Sequence, residues 1–244
     1  MKAYLLAGGL GERLRPLTLH IPKCLVPVCG VPLLEIWLRL CARSGIDEVL
    51  LNLSQHADRL EVFLAQRRGT PPNVRLVKEQ RLVGSAGTVL ANRDFVAGEE
   101  SFWVIYSDNL TNMSLDRMRA FHQAHDGLLT MGLFRTPSPR AAGIVEADET
   151  GRIVGFVEKP AEPRSNLANA GIYLVREPVL ELIPDADPPV DFGHHVLPAL
   201  IGRMYGYMIP GFHADIGTPD ALAKAQRDWN SLQDRALTGT HADP

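Results

Sequence analysis

The chain has 244 residues, 45% of them hydrophobic, and a formal net charge of −3 at pH 7. This length and composition suffice for one sizeable α/β domain. The nearly balanced charge argues against a general nucleic-acid binder, which usually carries a basic stripe. Three cysteines without CxxC spacing argue against a disulfide framework or a structural zinc site.

The apolar pattern predicts neither a signal peptide nor a membrane helix. The N-terminal apolar run is short and turns charged soon after Gly8. Uninterrupted apolar runs stay well below the ~20 residues that a membrane helix needs. We therefore expect a cytoplasmic protein that has neither a membrane nor a nucleic acid as a partner, while a homo-oligomer stays open.

Strand and helix patterns alternate through the first half of the chain. The predicted strands are 3–7, 48–53, 74–77, 102–106 and 128–134. The predicted helices are 33–43, 56–68, 85–93 and 115–125. This rhythm is typical of an α/β fold with a mainly parallel sheet and helices on both faces.

The second half of the chain has a different pattern. Strands at 144–147 and 152–157 flank a polar loop that ends in Gly151, which predicts a hairpin inserted at the sheet edge. A further strand is predicted at 169–175. The predicted helices are 177–182, 194–202 and 219–232. Residues 1–232 are thus expected to form a single domain, and 233–244, which lack an apolar pattern, a disordered tail.

The first strand leads directly into the segment LAGGLGERLRPLT at residues 6–18. Glycines leave backbone N–H groups accessible, and such a loop after a strand can surround an anion with its amides. Arg13, Arg15 and Lys23 add positive charge. The pattern indicates phosphate, and a nucleoside triphosphate in particular. The nucleotide-binding candidates in this loop are Leu6, Ala7, Gly8, Gly9 and Gly11.

Two other phosphate-binding loops fit this segment less well. A dinucleotide fold requires a third glycine where Leu14 stands, and an acidic residue at the end of a later strand. A P-loop requires Gly-Lys-Ser/Thr where Arg13 and Leu14 stand. For this motif alone, a purely structural glycine turn remains open.

Six motifs, in order along the chain, resemble the sugar-1-phosphate nucleotidyltransferases, in particular the mannose- and manno-heptose-1-phosphate guanylyltransferases. They are Gly8–Arg13 with Pro22-Lys23, Gly84–Thr88, Ser107-Asp108, Glu158–Pro160, Asn169–Tyr173 and Asp215–Pro219. The resemblance implies a Rossmann-like three-layer α/β/α fold with a mixed, mainly parallel sheet. It also implies transfer of a nucleotidyl group from an NTP to a sugar-1-phosphate with release of pyrophosphate.

The same resemblance implies a catalytic set with a magnesium ion. Its members are Arg13, Lys23, Asp108, Lys159 and Asp215, and Mg²⁺ would be held by Asp108 and Asp215. Asp108 also follows an apolar strand, and ligand sites in open α/β sheets lie at the carboxyl ends of strands. We therefore expect Asp108 to face the glycine loop, although a turn-capping role for Asp108 and a loop-bracing role for Asp215 remain open.

For the sugar phosphate, the resemblance implies contacts from the second half of the chain. Lys159 would hold its phosphate, Glu158 and Asn169 its hydroxyls, and Gly143 would offer a backbone amide. Because side chains alternate along a strand, either Glu158 or Lys159 is expected to point away from the site.

The base is expected to lie near Glu79, Gly84 and Ser85. A carboxylate supplies only hydrogen-bond acceptors, so Glu79 favours guanine, whose N1–H and amino group are donors that uracil lacks together. Gln80 is a competing amide, and a shift of one residue would reverse the inference. A GTP-dependent enzyme is therefore the first hypothesis.

Other functions remain open. They are a uridylyl- or thymidylyltransferase of the same family and, since Glu12 adds negative charge beside the triphosphate, a catalytically silent NDP-sugar-binding regulatory protein. An NAD-dependent oxidoreductase is disfavoured by the missing third glycine. His122 and His125 are predicted to be surface residues and not metal ligands.

Overall fold

The computed structural model describes the backbone of residues 1–238 and the side chains of residues 1–232. Its strands are β1 (Lys2–Leu6), β2 (Pro27–Val28), β3 (Val31–Pro32), β4 (Glu48–Leu53), β5 (Asn73–Lys78), β6 (Ser101–Tyr106), β7 (Asn109–Thr111), β8 (Leu129–Arg135), β9 (Gly143–Ala147), β10 (Ile153–Glu158), β11 (Leu167–Arg176), β12 (Met204–Met208) and β13 (His213–Asp215). Its α-helices are α1 (Leu33–Arg43), α2 (Ala57–Gln66), α3 (Ser85–Ala91), α4 (Leu115–Gln123) and α5 (Pro219–Thr238).

The main sheet is mixed, with a parallel centre. Along its path the strand order is β10-β9-β11-β6-β1-β4-β5, with β8 on β11 and β12 on β8. Strands β6, β1, β4 and β5 run parallel to one another, and β11 runs antiparallel to β6. Helix-linked parallel strands bury both faces of a sheet. The predicted α/β fold class is confirmed.

Two hydrophobic cores lie on opposite faces of the sheet. In β1, Ala3 and Leu5 pack into one core, whereas Tyr4 and Leu6 pack into the other. The first core contains the apolar face of α1, and the second contains the buried residues of α3. Because successive side chains of a strand point to opposite faces, this partition produces three layers.

Strand β11 forks the sheet. On one edge, its Ile172–Arg176 half pairs with β6, while Ala168 near its start pairs with Ile144 of β9. Its opposite edge pairs with β8 along both halves. The two strands that share one edge of β11 therefore leave a gap between them, beyond the carboxyl end of β6.

The hairpin and several element bounds agree with the sequence predictions. The bounds of α1 and β4 match those predicted, and β9 and β10 form an antiparallel hairpin. In the part of the chain that is described, no helix is long and apolar enough to cross a membrane.

Three predicted helices differ from the structure, and the one expected at 177–182 is a 3-10 helix with the predicted bounds. The helix expected at 194–202 is instead a π-helical turn, Phe192–Val196, followed by a 3-10 turn, Leu197–Leu200. Pro198 lacks an N–H group and so cannot continue an α-helical ladder. The last helix runs to Thr238 instead of ending at 232. The tail expected at 233–244 stays a prediction, and residues 239–244 lie outside the described residues.

The prediction that His122 and His125 lie on the surface is wrong. His122 is buried and His125 is half-buried. Both rings bond the hydroxyl of Thr130, a fully buried residue of β8, and this polar partner satisfies them away from water. Helical periodicity alone could not reveal a polar partner on another element.

Candidate active site

Two adjoining cavities open at the carboxyl ends of the parallel strands. The loop cavity, of about 420 Å³, is lined by Gly8, Gly9 and the ends of β1 and β6. The fork cavity, of about 330 Å³, occupies the gap beside β11. The two share Tyr106, Asp108 and Asp191. A ligand that bridges both would therefore pass Asp108.

The first glycine loop, residues 8–11, leaves its backbone donors unused. Asn52 Oδ1 accepts a hydrogen bond from Ala7 N at 2.8 Å, and Ser54 Oγ donates to Gly8 O at 2.9 Å. Within the described chain, the N–H groups of Gly8, Gly9 and Gly11 have no hydrogen-bond partner. Free amides beside a cavity form an anion-binding surface.

The predicted loop residues do not all reach that cavity. Leu6, Ala7, Gly8 and Gly9 line the loop cavity, whereas Gly11 does not. Gly11 has a positive φ of 65°, and its carbonyl accepts a hydrogen bond from Thr18 Oγ1 at 2.7 Å. Gly11 therefore shapes the turn of the loop and does not line the loop cavity.

The second small-residue loop, residues 84–88, leads into α3 and forms its first turn, and its first amides are occupied. Ser85 N donates to Asp191 Oδ1 at 3.0 Å, and the N–H groups of Ala86 and Gly87 both donate to Val190 O at 2.9 Å. Ser85 and Gly84 line the loop cavity, as predicted for nucleotide-binding residues, but as a wall braced by the segment 190–191.

Glu79 and not Gln80 faces the loop cavity. Its Oε1 accepts hydrogen bonds from Asn52 Nδ2 at 3.0 Å and from Thr88 Oγ1 at 2.5 Å. Its Oε2 has no partner among the described residues. Gln80 is exposed and does not line this cavity. The cavity therefore presents a fixed carboxylate, which can only accept hydrogen bonds.

Asn52 was missed in the sequence. This buried side chain stands where β1 and β4 run side by side, and it bonds Ala7, Glu79 and Thr88 at once. Its signal was a polar residue within an otherwise apolar strand. Asn52 thus holds the start of the glycine loop and the Glu79 carboxylate in one fixed arrangement.

Lys23 lies between two carboxylates at the junction of the cavities. Its Nζ donates to Asp108 Oδ2 at 2.7 Å and lies 3.8 Å from Asp215 Oδ1. Pairing of β7 with β13 sets Asn109 opposite Asp215, which brings the two aspartates together across 107 positions of sequence. The Lys23 side chain is only 12% exposed, so this charge is held in place.

Asp108 and Asp215 are carboxylates of the kind that a hard divalent cation binds, and the Lys23 ammonium lies between them. Magnesium takes few carboxylate ligands and completes its shell with water and phosphate oxygens. Among residues with described side chains, no group of three or more potential metal ligands occurs. Asp108 and Asp215 could therefore hold Mg²⁺ when a phosphate-bearing ligand supplies the remaining oxygens.

Arg13 lines the fork cavity and not the loop cavity. Its guanidinium lies so close to Gly217 that a Cβ atom at residue 217 would be 2.8 Å from Arg13 Nη2 and 2.9 Å from Asp215 Oδ1.

Glu12 pairs with Arg15, with 3.3 Å between Glu12 Oε1 and Arg15 Nη2. The negative charge that Glu12 adds to the loop is therefore paired with an exposed arginine of the same loop.

Glu158 and Lys159 both line the fork cavity, so the expectation that one would point away is wrong. Lys159 lies just after β10 with a positive φ of 48°, which ends the alternation of the strand. The two charged groups lie 3.7 Å apart. A Cβ atom at Gly143 or Gly193 would lie within 2.8 Å of Glu158 Oε2, so these glycines make room for the carboxylate.

Asn169 also lines the fork cavity, and the fold already uses much of its amide. Its Oδ1 accepts a hydrogen bond from Gly171 N at 2.9 Å, and its Nδ2 donates to Tyr173 Oη at 2.6 Å.

Burial raises the pKa of Tyr173 and of Tyr106 well above the ordinary value. Both phenols therefore stay protonated, and Tyr106 donates to Ser85 Oγ at 3.0 Å.

His213 is a further residue of the fork cavity that the sequence did not single out. Its ring packs against Phe134, with 4.6 Å between the ring centroids. Burial lowers the pKa of His213 to about 4, although the Asp108 carboxylate opposes the shift. The imidazole is therefore neutral at pH 7.

Comparisons with known proteins show which family and which proteins the chain resembles. The family model described as "Nucleotidyl transferase" matches residues 2–231. A mannose-1-phosphate guanylyltransferase of Mycobacterium tuberculosis is 33% identical over 93% of the chain. A probable mannose-1-phosphate guanylyltransferase 2 of Arabidopsis thaliana is 34% identical over 99% of it. The chain spans 64% and 70% of the lengths of these two relatives.

A solved structure shares the fold. The crystal structure of a putative glucose-1-phosphate thymidylyltransferase from Bacillus anthracis, in complex with a sucrose, superposes with a TM-score of 0.83. The similarity covers 93% of this chain and 94% of the other, at 24% sequence identity. At this level of identity, the similarity concerns the fold alone.

Proposed function

The chain belongs to the nucleotidyl transferase family, and we propose that it transfers a guanylyl group from GTP to a sugar-1-phosphate of the mannose or manno-heptose type. The products are the GDP-sugar and pyrophosphate. The observation that carries the proposal is the Lys23–Asp108–Asp215 cluster at the junction of two cavities, one beside free loop amides and one beside Lys159.

In this proposal, the triphosphate occupies the loop cavity. The unbonded amides of Gly8 and Gly9 hold its oxygens, and Lys23 neutralises part of its charge. Arg13 lines the adjoining fork cavity beside Asp215, so its guanidinium would contact the leaving pyrophosphate only where the two cavities join. A bound Mg²⁺ on Asp108 and Asp215 would withdraw charge from the phosphate oxygens.

The acceptor occupies the fork cavity. Lys159 binds its phosphate, Glu158 accepts hydrogen bonds from its hydroxyls, Asn169 donates to or accepts from them, and Gly143 offers its backbone amide. A phosphate oxygen of the acceptor attacks the α-phosphorus of GTP in line, and the bond between the α-phosphorus and the oxygen that bridges it to the β-phosphorus breaks, so that pyrophosphate leaves with that oxygen. The attacking oxygen is already ionised, so positioning and charge neutralisation suffice without a general base.

The preference for guanine is inferred from Glu79. Its free Oε2 and its shared Oε1 can accept hydrogen bonds from N1–H and the amino group of guanine, and Asn52 and Thr88 keep the carboxylate in place. A pyrimidine offers one such donor at most. The names of the two relatives agree with this choice of base and suggest mannose-1-phosphate as acceptor.

The test is pyrophosphate release with Mg²⁺ over a grid of nucleotides and acceptors. GTP, UTP, dTTP, CTP and ATP are each combined with mannose-, manno-heptose-, glucose- and N-acetylglucosamine-1-phosphate. We expect one strong signal, with GTP and a manno-configured acceptor. A strong signal with UTP or dTTP would retain the family and overturn the base. A blank grid with measurable nucleotide binding would favour a silent NDP-sugar-binding protein.

A matched pair of variants tests the base assignment. Glu79→Gln exchanges an acceptor oxygen for a donor, and we expect about a tenfold loss of kcat/KM for GTP relative to UTP, the equivalent of one hydrogen bond. Gln80→Glu is the control, because Gln80 is exposed and does not line the loop cavity. An equal GTP preference in wild type and Glu79→Gln contradicts the assignment.

A further inference from the structure

The His213 ring has hydrogen-bonding groups that the fold does not use. It lines the fork cavity, yet its buried Nδ1 has no partner among the described residues, and Nε2 makes no hydrogen bond there either. Buried polar atoms are almost always paired, and an unpaired one costs stability. By contrast, the half-buried His125 bonds through both ring nitrogens. The ring of His213 therefore has unused hydrogen-bonding capacity, and Nε2, which is not among the buried unpaired atoms, is the nitrogen left for a ligand in the fork cavity.

The strand that carries His213 also carries an aspartate of the junction. In β13, His213 lies opposite Thr111 and Asp215 lies opposite Asn109. Residues two apart on a strand point to the same face and are ~7 Å apart. The imidazole therefore lies one side-chain position along the cavity wall from the carboxylate at the junction.

The ring of His213 is also held in orientation. It packs against Phe134 at an interplanar angle of 49°. A ring fixed by an apolar neighbour presents its nitrogens with little loss of side-chain freedom when a ligand binds. This is the arrangement expected of a group that selects among ligands by hydrogen bonding.

We propose that His213 determines acceptor specificity by hydrogen-bonding one ring hydroxyl of the sugar phosphate in the fork cavity. The proposal rests on the proposed function, since it assumes a sugar phosphate in this cavity. An imidazole has one donor and one acceptor nitrogen, and a hydroxyl can pair with either. A site that bonds a substrate hydroxyl rejects analogues that lack it, because its polar group is then left unpaired.

The test combines two variants with a series of acceptors. His213→Phe keeps a ring against Phe134 but removes both nitrogens, and His213→Gln restores a polar group. Each protein is assayed for pyrophosphate release with GTP and mannose-1-phosphate or its 2-, 3-, 4- and 6-deoxy analogues. Calorimetry measures the affinity of each acceptor separately, and thermal unfolding and GTP affinity report on the fold.

We expect His213→Phe to lose about tenfold in kcat/KM with mannose-1-phosphate, the equivalent of one neutral hydrogen bond. With one deoxy analogue, wild type and His213→Phe should react equally well, because the hydroxyl that His213 contacts is missing. His213→Gln should recover part of the loss with mannose-1-phosphate. Melting temperature and GTP affinity should stay as in the wild type.

The remaining outcomes separate this inference from the proposed function. An equal loss with all acceptors, or no loss, overturns the role of His213 while turnover by the wild type retains the transferase. If the wild type releases no pyrophosphate but binds mannose-1-phosphate in a His213-dependent way, the transferase fails and the contact stands. If no acceptor binds, both are overturned.

Discussion

The two small-residue loops that border the loop cavity differ in what their amides do. In residues 8–11 the glycine N–H groups have no partner in the described chain, whereas in residues 84–88 the first amides bond Val190 and Asp191. Both loops follow strands of one sheet, one after β1 and the other after β5, and both are among the six motifs of the family resemblance. One loop is open for a ligand, and the other is closed by its own protein.

The difference shows that glycine content does not identify a phosphate site. What matters is whether acceptor groups of another part of the chain already bond the N–H groups of the loop. The segment 188–191 does so for the second loop, and this turns a potential anion site into a rigid wall. Substitutions that act on one loop only can therefore separate ligand binding from folding.

The largest expected effect is a loss of stability when the closed loop, residues 84–88, is changed. Gly84 has a φ of 86°, and a Cβ atom there would lie 2.4 Å from the carbonyl oxygen of Val190. Gly84→Ala should therefore lower the free energy of unfolding by about 3 kcal/mol, combining overpacking with a positive φ. Thermal unfolding should show a melting temperature that is roughly 10 °C lower. An unchanged melting temperature would contradict the close packing of 84 on 190.

The next effect concerns the group that closes this loop. Asp191 Oδ1 accepts hydrogen bonds from both Ser85 N and Ser85 Oγ. Asp191→Ala should cost about 1–2 kcal/mol of stability, as the loss of a helix cap does. Asp191→Asn keeps one acceptor oxygen and should cost less. Urea unfolding of the pair measures both, and equal losses would show that the hydrogen bonds of Oδ1 are not the cause.

The open loop should behave in the opposite way. Gly9 has nothing within 4 Å of the position of a Cβ atom and lines the loop cavity. Gly9→Ala should leave the melting temperature within the range of neutral surface substitutions. GTP affinity should fall about tenfold, because the methyl group enters the space beside the free amides. Calorimetric titration with GTP decides this, and a destabilised variant with normal affinity would reverse the comparison.

The smallest expected effect is on the pH dependence of stability. It concerns a polar network outside the site whose groups, like the amides of the second loop, are bonded within the protein. Gly127 N donates to His125 Nδ1, so His125 Nε2 donates to Thr130, whose hydroxyl donates to His122 Nδ1. Burial, followed by the charge of Arg176, lowers the pKa of His122 from 6.5 to about 3. Below pH 6.5 the unfolded chain binds a proton that the folded chain does not, so stability is lost as pH falls towards 3.

From pH 7 to pH 5.5 this network should cost the protein about 1 kcal/mol of unfolding free energy. Urea unfolding at both pH values measures the change. In His122→Gln, which cannot titrate, the pH dependence should be weaker. An identical pH dependence in wild type and variant would assign the effect to other groups.

Local sequence patterns predicted most of the central sheet. The bounds of α1 and β4 came from apolar periodicity, and the β9–β10 hairpin came from a polar loop that ends in glycine. Short strands such as β12 and β13 could not be found in this way, because they are strands only through their partners β8 and β7. The Phe192–Val196 turn was likewise hidden behind a helical pattern.

Among the site residues, the sequence identified those with motif signals, and it missed those whose importance is a contact. Arg13, Lys23 and Asp108 stand in motifs. Asn52 and His213 do not, since one acts by bonding three separated residues and the other by facing a cavity between strands. Lys159 shows the same limit, because its positive φ allows it to face the site together with Glu158.

By itself, the sequence determined the α/β fold class, the family and the charged residues of the site, because periodicity and motifs are local properties of the chain. The tertiary structure alone decided which amides stay free, which acidic side chain faces the loop cavity, and how Lys23 meets two aspartates. These features depend on contacts between segments that are separated in the chain, by 27 positions between Asn52 and Glu79 and by 85 between Lys23 and Asp108. Only the packing of the sheet brings such segments together.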